Sequence, residues 1–378
     1  MSDKLLWYSL VPGLHSEIGH FYEYTLRLDQ AIHINNWQHI VALPSACVIK
    51  GLPKTWIKIL PIDFSQYRFK IWDWWIKPFV LNFFTISRIV NKVRRKNNSS
   101  VIFIEQYNVP FLAALSLAIL ANRTKSKLLF FNLIRFSPQE LKFGGKLYFW
   151  LHALIERILG KECVNLFSDS ELIAKEFKEK FGLHLHVLPI PHGKNRYPAK
   201  NKCLNQLLCW WPGPPREEKG LSHIRKFSLS LANTAIHAKL ILADSLKNDA
   251  DFKFQHVEFV PLMLSRLEYE GWLNKVHFVL LPYLPFFYHS RTSGIFIEAV
   301  MAGRLPLVSD GTWMAYELKK FDLNELVIDS DWNESVINKM QLLGENCIVR
   351  RKLEAMKRKY EEFHSVDKFA QIIRDLVI

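Results

Sequence analysis

The chain has 378 residues, of which 49% are hydrophobic and 23% are charged, and its formal net charge is +14. This composition excludes disordered and fibrous classes, and the length allows about two domains of ~150 residues. The excess positive charge favours anionic partners: phosphorylated small molecules, acidic lipid surfaces or nucleic acid.

Two features bear on the compartment. The five cysteines include no CxxC pair, so the sequence predicts neither a disulfide framework nor a zinc site. Asp3 and the short first apolar run are unlike a signal peptide, and no apolar run reaches the ~18 residues of a spanning helix. We therefore expect a cytoplasmic protein that is soluble or peripheral at the inner face of the cytoplasmic membrane.

Short apolar runs alternate with helical patterns through the first half. Apolar residues at helical spacing predict helices over 17–34, 138–160 and 170–181, with Ser170 as an N-cap. The apolar run 110–121 has the length of a core helix. The predicted strands are 5–11, 40–43, 57–62, 101–105, 128–133, 165–167 and 185–188.

A proline-rich, basic segment at 188–203 separates the two halves and is predicted as a linker. Beyond it the alternation resumes. The predicted strands are 207–211, 239–243, 257–260, 276–282, 305–309 and 326–328. The predicted helices are 221–232, 264–274, 293–302, 312–321, 332–343, 348–363 and 366–376.

Regular alternation of strand and helix indicates parallel sheets covered by helices on both faces. The sequence therefore predicts an α/β protein with two Rossmann-like, doubly wound domains and an interdomain cleft. Ligands of such sheets bind at the carboxyl ends of the strands. We expect an N-terminal domain over 1–190, a C-terminal domain over 191–364 and a final helix over 365–378.

The stretch RTSGIFIEAVMAGRLPLVSDG, residues 291–311, begins a helix with Ser293 and Gly294. Ser293 is a predicted N-cap, and Gly294 lets a ligand approach backbone N–H groups that favour a phosphate. Glu298, one to two turns further, offers a carboxylate to sugar hydroxyls. The alternative is a buried helix with an ordinary cap.

Two further stretches follow predicted strands. In LLCWWPGPPREEKGL, residues 207–221, Arg216 and Lys219 precede a helix. They can clamp a diphosphate and stabilise its departure, although an exposed, charged turn is the alternative. In GLHSEIGHFYEYTLRL, residues 13–28, Gly19 allows close backbone approach beside His20. This last pair is weak evidence by itself.

In this order, the three stretches resemble the group 1, family 4-like retaining glycosyltransferases, which have the two-Rossmann architecture called GT-B. The resemblance spans the chain and is most specific in SGIFIEAVMAGRLPLVSDG. It implies a donor diphosphate at the helix mouth and the donor ribose on Glu298. It also implies an acceptor on the first domain, and a last helix that crosses back to that domain. The implied donor-binding residues are Gly19, Gly213, Arg216, Lys219, Thr292, Ser293, Gly294, Ile295 and Glu298.

The resemblance also implies catalytic roles. Arg216 and Lys219 contact the donor phosphates and support departure of the leaving group. Many members carry a histidine after a strand of the first domain, where this chain has Asn132 and Arg135. His20, the catalytic candidate, and His152 are the alternatives for that histidine.

A second departure concerns a pair of glutamates separated by seven residues in many members. The upstream position is Ser290 here, so a contact with the donor sugar is missing.

Two acidic motifs resemble the metal-binding signature of the other glycosyltransferase fold. They are DAD at 249–251 and DSD at 329–331, and chance explains them in a chain with 36 acidic residues. Cationic side chains and helix dipoles can neutralise a diphosphate without a metal. We therefore expect no essential metal and no cofactor besides the nucleotide-diphosphate sugar that serves as the donor.

The segment 67–98 interleaves aromatic and basic residues, including Trp72, Trp74 and Trp75, and ends in a basic tail. This pattern suits anionic lipid headgroups. Aromatic side chains packed in their own domain are an equal alternative, because periodicity does not separate a buried face from a membrane face.

We therefore expect a glycosyltransferase of the hexosyltransferase type. It moves a sugar from a nucleotide-diphosphate sugar to a hydroxyl acceptor, with retention, in cell-surface glycan or glycolipid synthesis. The expected partners are the nucleotide sugar, a glycan or lipid-linked acceptor and an anionic membrane surface, with nucleic acid disfavoured. The alternatives are a sugar-nucleotide epimerase on the same fold and a non-enzymatic basic relative that binds membrane or nucleic acid.

Overall fold

The computed structural model describes residues 5–17, 20–61, 76–95, 99–105, 107–122, 127–141, 145–192, 206–329 and 331–377. The chain forms two compact units. Unit 1 is Met1–Pro191 with Val366–Ile378, and unit 2 is His192–Ser365. Most of the predicted linker, residues 193–203, lies outside the described residues.

Unit 1 contains one seven-stranded sheet in the order β3-β2-β1-β4-β5-β6-β7. Every pair of neighbouring strands is parallel. Its strands are β1 Leu6–Leu10, β2 Gln38–Pro44, β3 Trp56–Leu60, β4 Ser100–Glu105, β5 Leu128–Ile134, β6 Val164–Ser168 and β7 His186–Val187. Its helices are α1 His20–Ile34, α2 Lys77–Arg95, α3 Val109–Ala121, α4 Gly145–Leu159, α5 Glu171–Phe181 and α13 Val366–Val377.

Helices cover both faces of this sheet. β4 and β5 are buried along their whole length, as expected for parallel strands with a covered face on each side. On one face α2, α3, α4 and α5 pack over residues such as Ile102 and Phe130. On the other face, α1 and α13 pack over Trp7 and Phe131.

Unit 2 contains a six-stranded sheet in the order β10-β9-β8-β11-β12-β13, again entirely parallel. Its strands are β8 Leu207–Trp210, β9 Ala238–Ala243, β10 Val257–Val260, β11 Phe278–Leu281, β12 Leu305–Ser309 and β13 Val327–Ile328. Its helices are α6 Leu221–Ala232, α7 Arg266–Lys275, α8 Pro285–Tyr288, α9 Gly294–Met301, α10 Trp313–Lys319, α11 Glu334–Glu345 and α12 Cys347–Phe363.

The predicted α/β class with two Rossmann-like, doubly wound sheets is confirmed. The predicted helix 138–160 is shorter than expected, because Pro138 lies in a turn in which the Glu140 amide donates to the Ser137 carbonyl at 3.0 Å. The helix begins at Gly145. The first helix begins at His20 rather than at residue 17.

Candidate functional site

The candidate site lies at the carboxyl ends of β8 and β11, in the middle of the unit 2 sheet. The two strands are neighbours, and the strand order reverses between them, with β9 and β10 on one side and β12 and β13 on the other. The loops after β8 and β11 therefore diverge, which opens a crevice at the carboxyl edge of such sheets. The turn 211–220 and the loop 282–293 both begin at this edge.

The turn after β8 brings three of the candidate donor-binding residues together. Gly213 has a φ of +87°, and a Cβ placed on it would lie 3.3 Å from Lys219 Nζ and 3.7 Å from Ile295 Cδ1. The ammonium of Lys219 thus lies against the bare backbone of Gly213, beside the first turn of α9. Trp211 Nε1 donates to the Lys219 carbonyl at 3.2 Å, which fixes the backbone of the turn.

The same turn is joined to the loop after β11. The Leu284 amide donates to the Glu218 carbonyl at 3.0 Å. Gly220 has a φ of +81°, and a Cβ placed there would lie only 1.9 Å from the Pro282 carbonyl oxygen. Only glycine permits this approach without a shift of the backbone.

Lys219 is a half-buried cation. Burial lowers the pKa of its ammonium to about 8, and the nearby Arg216 contributes in the same direction. The Nζ atom lies 5.7 Å from the centre of the Tyr283 ring, at the end of β11. Arg216 is different: 59% of its side chain is exposed, and its guanidinium contacts Glu218 at 3.4 Å. The site therefore holds one half-buried and one exposed positive charge.

The N-terminus of α9 completes this edge. Ser293 is the N-cap, as predicted, and its hydroxyl accepts from the Phe296 amide at 3.3 Å. A Cβ placed on Gly294 would meet no atom within 4 Å, so there is room beside the first free amides of the helix. Thr292 is half-buried in the preceding loop. Backbone amides and a helix dipole beside a half-buried ammonium form an environment that favours a phosphate or diphosphate.

Glu298 lies one turn into α9, where an arginine and a histidine contact its carboxylate. Arg266 NH1 contacts Oε1 at 2.6 Å, and His192 Nδ1 lies 3.7 Å from the same oxygen. Burial would raise the pKa of this carboxyl, but His192 and Arg266 together lower it. The group is therefore ionised at neutral pH and is an acceptor of hydrogen bonds.

The sequence did not indicate Arg266 or His192. Neither belongs to a motif, and Arg266 is 32 residues from Glu298 along the chain. The only available signal was the position of Arg266, directly after the loop that follows β10. Loops at the carboxyl ends of strands lie at the ligand-binding edge of such a sheet. Ser290, the position without the second glutamate, is buried and its hydroxyl lies 3.3 Å from His289 Nε2.

In unit 1 the candidates have different outcomes. Gly19 lies outside the described residues, and His20 begins α1 but its side chain also lies outside them. His152 is fully buried. Its Nε2 accepts from Asn132 Nδ2 at 2.7 Å, and its Nδ1 donates to the Tyr148 carbonyl at 2.9 Å. Burial lowers its pKa to about 4. These contacts lie inside unit 1, and the alternative that placed His152 at the reaction centre stays a prediction.

Arg135 lies at the carboxyl edge of the unit 1 sheet within a buried ionic cluster. Its guanidinium contacts Glu105 at 3.3 Å and Asp169 at 3.1 Å, and it lies 4.2 Å from the centre of the Tyr24 ring. Burial raises the pKa of Glu105 to about 7 despite the nearby Arg135. This arginine is engaged by two carboxylates and does not present a free charge to an anion.

The acidic motifs have local partners. Asp249 accepts from Arg225 at 3.0 Å, Asp251 contacts the same arginine at 3.2 Å, and Asp331 contacts Lys226 at 3.2 Å. In the described segments no group of three or more His, Cys, Asp or Glu side chains is arranged to hold a metal ion. In the same segments, no helix has both the length and the hydropathy needed to cross a bilayer.

Solved structures show what this fold is similar to. A glycosyltransferase from Rickettsia africae superposes with a TM-score of 0.70 at 13% identity, over 99% of this chain and 98% of that one. Sucrose-phosphate synthase from Thermosynechococcus elongatus gives 0.65 at 12% identity, over 99% and 98%. Anabaena HepE, solved in complex with UDP and glucose, gives 0.64 at 11% identity, over 98% of each chain.

These similarities show that the fold is that of the GT-B glycosyltransferases, with two doubly wound units. At this level of identity they show the fold alone. No family model matches the chain, and no curated protein is similar to it in sequence.

Proposed function

We propose that this protein is a glycosyltransferase that moves a sugar from a nucleotide-diphosphate sugar to a hydroxyl acceptor, with retention. One observation carries the proposal. The half-buried ammonium of Lys219 lies beside Gly213 and Ile295, at the reversal of strand order in unit 2, where the amides of α9 begin. A donor diphosphate fits this combination of half-buried positive charge, bare backbone and helix N-terminus.

Each group has a defined part in the proposed reaction. The bond between the anomeric carbon and the diphosphate oxygen breaks, and its electrons stay on that oxygen. Lys219 and Arg216 stabilise the negative charge that develops there, without a metal. The acceptor oxygen bonds to the anomeric carbon on the face that the diphosphate leaves, and its proton passes to the departing diphosphate. Glu298 holds the donor ribose by its hydroxyls, and unit 1 supplies the acceptor side.

The first test is a thermal-shift screen against UDP, GDP, ADP, CMP and their common sugar conjugates, with and without EDTA. We expect one diphosphate to raise the melting temperature, because a ligand that binds only the folded state stabilises it by mass action. EDTA leaves this shift unchanged, and Lys219→Ala and Glu298→Ala abolish it. Lys226→Ala is the matched control, since Lys226 is an exposed lysine of the same unit that pairs with Asp331.

The outcomes separate the proposal from its alternatives. A response to no nucleotide would contradict it. Consumption of the nucleotide sugar without any acceptor would favour the epimerase. Salt-dependent binding of nucleic acid with no response to nucleotide sugars would favour the non-enzymatic relative.

We also propose that unit 1 docks on an anionic membrane, where a lipid-linked acceptor would be found. Residues 67–75 of the aromatic segment lie outside the described residues, but 77–95 form α2, which carries five basic and no acidic residues. Its outer face exposes Phe84 at 59%, and α4, which also packs on α3, exposes Trp150 at 56%. Apolar side chains interspersed with cations suit the headgroup region of an anionic bilayer.

Flotation with vesicles tests this docking surface. Phe84→Ser combined with Trp150→Ser is expected to weaken binding to phosphatidylglycerol vesicles roughly tenfold or more, because two large side chains lose their apolar environment. Leu342→Ser is the control, since Leu342 is exposed at 76% on α11 of unit 2. Wild-type protein that stays unbound, or that binds neutral vesicles equally well, would contradict the proposal.

A further inference from the structure

The carboxylate of Glu298 is not held by its own helix. Its two ion pairs come from Arg266, the first residue of α7, and from His192, far earlier in the chain. Both side chains lie against the same oxygen, Oε1. A carboxylate has about four acceptor positions on its two oxygens, so pairing at Oε1 leaves acceptor capacity while it fixes the orientation of the group. The side chain of Glu298 is 14% exposed, so it lies at the edge of the site.

Arg266 is itself fixed from a second side. Its Nε contacts Glu270 Oε1 at 2.7 Å, and its guanidinium lies 5.6 Å from the centre of the Tyr269 ring. The guanidinium is planar and presents its donors in a rigid fork. With Nε on Glu270 and NH1 on Glu298, the plane has little freedom to rotate. Because Arg266 is held in place on α7, its ion pair also fixes the position of the Glu298 carboxylate on α9.

We propose that Arg266 is a positioning residue for donor recognition: by holding Oε1 it directs the remaining acceptor capacity of Glu298 towards the two vicinal hydroxyls of the donor ribose. The inference rests on the proposed function and names the residue that makes its ribose contact selective. Hydrogen bonds from the hydroxyls to a fixed carboxylate need no reorganisation on binding. A nucleotide without these hydroxyls makes no hydrogen bond to the Glu298 carboxylate, and we expect it to bind more weakly.

Titration calorimetry with matched nucleotides tests this role. The ligands are UDP, GDP and ADP, each beside its 2′,3′-dideoxy counterpart. For the diphosphate that binds, we expect wild-type protein to prefer the ribose form about tenfold or more, the range for hydrogen bonds to a charged group. Arg266→Met is expected to reduce this preference to nearly onefold, as is Glu298→Gln. Arg266→Lys restores part of it, because an ammonium replaces only one arm of the fork.

Arg350→Met is the matched control. Arg350 also belongs to unit 2 and is also held in place, by two hydrogen bonds to the Gly344 carbonyl at 2.7 and 3.1 Å, but its bonds do not involve Glu298. We expect it to leave the preference for ribose unchanged. Melting temperatures of all variants show that each one is folded under the conditions of the titration.

Other results would overturn the inference. An equal loss of affinity for both forms in Arg266→Met would make Arg266 a structural residue only. Tighter binding of the ribose form by Arg266→Met would mean that the arginine competes with the ligand for Glu298. If wild-type protein binds a diphosphate but has no preference for ribose, the donor site stands and the inference fails. If it binds none of the diphosphates, the proposed function fails as well.

Discussion

Replacing Lys219 with glutamine is expected to lower kcat for sugar transfer by about 10²- to 10³-fold, the range seen when a group that stabilises developing charge is removed. Lys219 is the half-buried cation of the site and lies against Gly213, so water screens its charge less than that of the exposed Arg216. Release of the nucleoside diphosphate, followed at saturating donor and acceptor, measures the effect.

The same residue gives the reaction a pH dependence with a defined sign. Burial, then Arg216, lowers the pKa of Lys219 to about 8, so the ammonium is charged below that pH and loses its charge above it. At low donor concentration, where kcat/KM reports the free protein, the rate for wild-type protein should fall as the pH rises through about 8. This fall in rate at alkaline pH, the alkaline limb of the profile, should be absent in Lys219→Gln. It should move to higher pH in Arg216→Gln, where the repulsion from the guanidinium is removed.

Two comparisons keep this result specific. Arg216→Gln should lose less activity than Lys219→Gln, since its side chain is 59% exposed and solvent screens its charge. Lys226→Gln, which removes an exposed lysine of the same unit, should match the wild type. A Lys219→Gln variant that keeps the alkaline limb would show that another group titrates.

The substitution Gly220→Ala is expected to cause a large loss of stability, roughly 2–6 kcal/mol in the free energy of unfolding. Two costs add: a left-handed backbone for a residue with a Cβ, about 1–3 kcal/mol, and overpacking, also about 1–3 kcal/mol. The first arises from the φ of +81° and the second from a Cβ that would lie 1.9 Å from the Pro282 oxygen. Urea unfolding followed by tryptophan fluorescence measures the loss.

Gly182→Ala separates the two costs. Gly182 also has a positive φ, +67°, but a Cβ there would meet no atom within 4 Å. It should therefore show only the backbone cost. Equal losses in the two variants would mean that the contact between residue 220 and Pro282 contributes nothing.

The fold was predictable because its signals are local. The run at β5 is buried at every residue, and such a continuous apolar run with β-branched or aromatic content predicts a covered strand. Ser170 and Ser293 cap their helices as predicted, because an N-cap depends on only a few consecutive residues. α2 was not predicted, since its apolar and basic residues are equally typical of a membrane surface and of a packed helix.

The candidate site was predictable only where its residues share a turn. Gly213 and Lys219 belong to one strand-to-helix connection, and their contact follows from the turn itself. The ion pairs of Glu298 join three separate parts of the chain, so no periodicity indicates them. The hydrogen bond between His152 on α4 and Asn132 on β5 is again a tertiary contact.

The position of α13 has a consequence for the order in which the protein is made. This helix belongs to unit 1, where Phe369, Ala370 and Ile373 pack into the cluster around Trp7 and Phe131. Unit 2 is thus an insertion within unit 1, and all of its residues leave the ribosome before the last segment of unit 1. Unit 2 has its complete sequence first, whereas one face of the unit 1 sheet lacks the cover of α13 until that helix has left the ribosome. That exposed apolar face is the part of the nascent protein that most needs a chaperone.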